Sequence, residues 1–105
     1  MVEYTPDSWV IVEMTHKEKK IRKVLAGWYG GYLGADEWRL SSGLTVEVDS
    51  GDHYDFHNES GSVYHCYKNL QRFTGLMSSI FADWKKQATE DTNIEHIPYG
   101  DKNDQ

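Results

Sequence analysis

LTVEVDSGDHYDFHNESGSVYHCY, residues 44–67, carries three short alternating runs separated by two breaks. Leu44, Val46 and Val48 share one parity, with Thr45 and Glu47 on the other. Tyr54 and Phe56 oppose His53, Asp55 and His57, and residues 62–67 form a further run. A side-chain period of two is the mark of a half-buried strand. The breaks, DSGD at 49–52 and NESG at 58–61, are turn compositions: glycine supplies positive φ, and Asp, Asn and Ser bond their own backbone. Strands joined so tightly pair antiparallel.

Working outward, residues 8–15 (SWVIVEMT) are a β-branched apolar run, the composition of a buried strand. Residues 16–20 (HKEKK) form a charged turn, and residues 21–28 alternate as a second strand antiparallel to the first. Residues 37–40 add another short strand before the turn at 41–43. After Leu70 the period changes. Phe73, Met77, Ile80, Phe81, Trp84 and Ala88 recur at three and four residues, one face of an amphipathic helix. Asn69 is a candidate N-cap, although Gly75 disfavours the first turns and shifts the expected start towards Thr74. The expected fold class is α+β: a twisted antiparallel sheet, or a small partly open barrel, of five or six strands, covered by one C-terminal amphipathic helix.

The chain has 105 residues, the length of one domain. Its net charge of −6 is uneven. From Thr89 onward five carboxylates face only Lys102, a net of −4 that leaves −2 for residues 1–88. Residues 1–88 therefore read as a single domain and 89–105 as an acidic, flexible tail. An acidic total argues against non-specific binding to nucleic-acid backbones, which needs Lys and Arg to neutralise phosphates. The single cysteine, Cys66, has no intrachain disulfide partner. Residues 1–25 lack a signal-peptide core and no run is long enough to span a membrane, so a cytoplasmic protein with no membrane partner is expected.

Most catalytic constellations weaken on inspection. His53, Asp55 and His57 share parity, but positions four apart on a strand lie roughly 13 Å from one another, too far to hold one ion without a bend. His65 adds a further imidazole on the next strand; polar strand residues are the preferred reading, and no metal or cofactor is expected. Asp49, Asp52 and Asp55 lack the spacing of a calcium loop. His65 and Cys66 are adjacent on a strand and point to opposite faces, which leaves Cys66 a buried structural thiol. Five of the eight residues 16–23 are Lys or Arg, the composition of a solvated hairpin end. No catalytic residue is assigned.

The segment GWYGGYLGADEWRLSSG, residues 27–43, gathers four of the fourteen aromatics among five glycines. Trp28, Tyr29, Tyr32 and Trp38 are rigid amphipathic anchors, and Arg39 adds a forked donor for a carboxylate or phosphate. These five residues are the candidate binding site. The alternative is structural, with Trp28 and Trp38 as core rings.

The string GWYGGYLGADEWRL, followed by SSG and GSVYHCYK, resembles small uncharacterised bacteriophage accessory proteins in which a G-W-x-G-G-Y-L segment leads to W-R-L. The resemblance spans residues 8 to about 70. It implies a phage-encoded protein acting in the bacterial cytoplasm by binding a host protein, and carries over no catalytic residue. The expected function is a non-catalytic binding module. Alternatives are a sponge for a small anionic or nucleotide-like ligand, a small hydrolase, and a self-associating virion subunit, the last making a homo-oligomer possible.

Overall fold

The nine residues of β2 (Ser8–His16) all pair with β3 (Lys19–Trp28), from Ser8 opposite Gly27 to His16 opposite Lys19. Only Lys17 and Glu18 connect them, both at positive φ (48° and 72°), the sense of a type I′ turn that matches strand twist. The computed structural model describes residues 1–100, apart from the side chain of Tyr32. β1 (Glu3–Tyr4) precedes this hairpin; β4 (Glu37–Leu40), β5 (Leu44–Asp49), β6 (His53–Asn58), β7 (Val63–Tyr67), α1 (Gly75–Lys86) and β8 (Thr92–Ile97) follow it.

The strands form two four-stranded sheets, ordered β1-β7-β6-β5 and β4-β3-β2-β8. β1 runs parallel to β7, and every other pairing is antiparallel. Between the sheets lies one core, with Trp9, Ile11, Val24 and Ala26 facing Tyr54, Phe56, Tyr64 and Cys66. The indole of Trp9 packs on Tyr54 and Phe56 and donates to the Tyr67 carbonyl at 2.6 Å. A second core, of Val10, Val12, Leu25, Met77 and Ile94, fills the other face of β2 and β3 beneath α1. Burial on both faces explains the unbroken apolar run of β2, because neither parity meets water.

The helix starts at Thr74, whose Oγ1 accepts from Met77 N at 3.1 Å, rather than at Asn69. Residues 68–70 make a single 3₁₀ turn instead. Met77 is fully buried, with Phe73, Phe81 and Trp84 packed around it. Lys85 and Lys86 close the last turn, where cations favour the helix dipole.

The α+β class holds, with two corrections. Eight strands in two sheets replace five or six in one sheet, and there is no closed barrel. The expected tail is not a tail through its middle: β8 pairs with β2 from Ile11–Ile97 to His16–Thr92, and Ile94 is 2% exposed. β2 would otherwise present an unpaired edge, and Ile94 completes the core under α1. Residues 101–105, the rest of the expected tail, lie outside the described residues. Among the described residues, no helix is long and apolar enough to cross a membrane.

Candidate functional site

A trough of two adjoining concavities, about 410 and 680 Å³, opens where β1 meets β3 and β4. Tyr4 is its hub. Its ring lies 4.7 Å from that of Tyr64 and 6.1 Å, edge-on, from Trp28, while Cζ of Arg39 sits 4.7 Å from its centroid. Tyr4 and Arg39 line both concavities.

The two ends differ in charge. Glu3, Asp7 and Glu37 line the smaller one with Trp28 and Tyr29, so carboxylates outnumber Arg39 there. The larger one holds Arg39 as its one charged side chain, beside Ser41, Ser42, Ser60, Ser62 and Tyr64. Burial pushes the Tyr64 phenol up to about 12, against the pull of the Arg39 guanidinium, so it stays neutral in this wall. Among the described residues no carboxylate lies within salt-bridge distance of Arg39.

Asp7 anchors the loop beside the trough by accepting from Tyr29 N at 2.9 Å, and Asp36 accepts from Gly30 N at 3.1 Å. Trp28 donates to the Thr5 carbonyl at 3.2 Å. At the loop's tip Leu33 has positive φ and is 89% exposed.

Three of the five candidate residues, Trp28, Tyr29 and Arg39, therefore line one trough. The side chain of Tyr32 lies outside the described residues. Trp38, 40% exposed, stands apart from these three. Its parity sends it to the opposite face of β4 from Arg39, where it meets Trp84 of α1 edge-on at 5.5 Å. It braces the helix layer and does not line the trough. Tyr4, Glu3 and Asp7 were missed, because β1 is two residues long and has no readable period.

No family model, curated protein or solved structure matches this chain.

A second cluster lies on the outer face of the β1-β7-β6-β5 sheet. The β6–β7 register sets Asp55 opposite His65 and His53 opposite Tyr67. Oδ1 of Asp55 is 2.5 Å from Nδ1 of His65 and 3.3 Å from Nε2 of His53. Glu3 Oε1 stands 2.6 Å from Nε2 of His65, and Asp52 Oδ1 is 2.7 Å from Nδ1 of His53. Hydrogen bonds to Glu3 and Asp55 raise the pKa of His65. Partial burial pushes the Asp55 carboxyl up, but hydrogen bonds from Ser50 and His65 outweigh it and hold it below its usual range. His57 pairs with Val63 and stays out of the cluster, so the distance argument against His53 with His57 stands, while His65 arrives from across the strand pair. The NESG turn alone would have misled by one residue: a hairpin centred on 58–61 sets Asp55 opposite Tyr64, whereas the five-residue connection 58–62 sets it opposite His65. Cys66, next in sequence, is fully buried on the inner face.

Proposed function

We propose that this chain is a non-catalytic binding module whose trough takes an extended segment of a partner protein. One observation carries the reading: Arg39 is exposed, stacked on Tyr4 and unpaired with any described carboxylate, at the junction of two concavities. A guanidinium held over a ring is a preorganised fork for an acidic side chain, and Arg with Tyr and Trp is the usual composition of a binding hot spot. Tyr29, half exposed, and the projecting Leu33 supply apolar contact beside it. Asp7 suits a basic residue further along the same segment. With the resemblance to phage accessory proteins, the proposed partner is a host bacterial protein met in the cytoplasm.

A second reading has its own observation. The serine-lined end, with Arg39 as its charge, suits a small anion such as a nucleotide phosphate.

Affinity capture from bacterial lysate distinguishes these. The parent and a distant surface variant, Val46→Ser, are expected to retain the same protein, and Arg39→Glu to lose it while remaining folded. Capture undiminished by Arg39→Glu overturns the site. Nucleotide binding read by Trp28 fluorescence, without a protein partner, transfers the function to the second reading.

A further inference from the structure

We infer that His53, Asp55 and His65 form a site for one divalent cation of the zinc class, oriented by Asp52, Ser50 and Glu3. This inference does not rest on the reading of the trough, with which it shares only Glu3.

The three residues offer ligand atoms that all lie within 4.8 Å of one another. Tetrahedral zinc bonds of about 2.0–2.1 Å place ligand atoms roughly 3.4 Å apart. Asp55 Oδ1 already meets His53 Nε2 at 3.3 Å, and its 2.5 Å contact with His65 Nδ1 needs to open by only about an ångström. The sheet makes this convergence rigid. Asp55 and His65 are a directly opposed cross-strand pair, and His53 is the diagonal neighbour on the same face.

The surroundings of each ligand point the same way. Metal-bound histidines characteristically give their far nitrogen to a carboxylate, which fixes ring and tautomer. Here both do. A carboxylate only accepts, so Asp52 holds the proton on Nδ1 of His53 and turns its Nε2 lone pair towards Asp55. Glu3 does the same at Nε2 of His65 and turns Nδ1 inward. Ser50 donates to Oδ2 of Asp55 at 2.5 Å and leaves Oδ1 to face the two rings. Nδ1 of His65 donates to Asp55 while the ring holds both protons; once that proton leaves, two inward lone pairs and a carboxylate oxygen repel unless other positive charge sits among them. A proton on His65 Nδ1 joins two of these atoms; a metal ion joins all three.

Two imidazoles and one carboxylate favour Zn²⁺ and its neighbours over Ca²⁺ or Mg²⁺, which prefer oxygen shells. The three side chains keep 21–29% of their surface exposed, so a fourth position opens to solvent. Three protein ligands with an open position is the arrangement of a reactive zinc centre rather than a closed structural one.

The test is titration of the full chain, stripped with chelator, with Zn²⁺ by calorimetry and with Co²⁺ by visible absorption. One equivalent is expected to bind, with tetrahedral Co²⁺ bands. His65→Ala and Asp55→Asn are expected to weaken binding at least 100-fold, and Glu3→Gln about 10-fold, as loss of an outer-shell partner does. His57→Gln, on the same face outside the cluster, is expected to bind like the parent. Imidazole NMR signals of the parent give a readout that needs no variant: those of His53 and His65 shift on Zn²⁺ addition and that of His57 does not. Absence of saturable binding at submillimolar Zn²⁺, or shifts led by His57 or His16, overturns the site.

Discussion

A Cβ added to Gly27 on β3 would stand 2.6 Å from Sδ of Met77 on α1 and 3.3 Å from Cγ2 of Thr74. The helix thus crosses this strand at a height only a hydrogen atom permits. Met77 is fully buried and has no path to solvent, so the helix cap and the strand are locked together at this point.

Gly27→Ala should destabilise the fold by about 1–3 kcal/mol, the usual cost of overpacking. Chemical denaturation measures it. Adding Met77→Ala should recover part of that loss relative to additivity, because the two sites share one space. Strictly additive effects would show that the contact does not couple them.

Trp38→Ala should lower stability by about 1–2 kcal/mol through loss of its edge-on contact with Trp84. Arg39→Ala, its neighbour, should change stability by no more than about 0.5 kcal/mol, as exposed substitutions do, while removing partner binding. Thermal melts of the two variants separate bracing from recognition. Reversal of the two results would return Trp38 to the binding site.

Ile94→Ala should cost about 2–5 kcal/mol, since it opens a cavity in the core beneath α1. A chain ending at Ala88 should lose at least as much, because β2 then also loses its edge partner. Melting temperatures unchanged by either would mean that β8 is dispensable.

Lys17 and Glu18 occupy left-handed conformations without being glycine or asparagine. Replacing the pair with Asn-Gly should raise stability by about 1 kcal/mol, because each side chain carries a cost there that the preferred type I′ pair avoids. Denaturant midpoints read this directly; a decrease would show that the native side chains make compensating contacts.

Cys66 should resist thiol reagents in the native protein. Burial pushes its thiol well above the ordinary cysteine range, and its side chain faces the inter-sheet core. Modification should follow the rate of opening and become rapid in denaturant. Fast labelling of folded protein would be inconsistent with this core.

Strands β2 to β7 were legible because their periods are local. The alternation in 53–67, the unbroken run in β2 and the shift to helical spacing near Thr74 each report which faces meet water, whereas that of β5 does not, because Val46 and Val48 are exposed. Parity also separated His65 from Cys66 without any structure. The sequence alone thus determined an antiparallel β-rich fold with one covering helix and a buried thiol.

Tertiary structure decided the rest. β1 and β8 are too short or too polar to announce themselves, and they exist because β7 and β2 offer edges to pair with. Trp38 became a brace and Arg39 a trough residue because α1 covers one face of β4's sheet while β1 approaches the other. Glu3 reaches His65 only through the parallel β1–β7 pairing, across 62 residues of chain. Local periodicity records how each side chain divides between core and water; which distant side chain it meets is set by strand register and layer order, and those minimise the energy of the whole assembly rather than of any one segment.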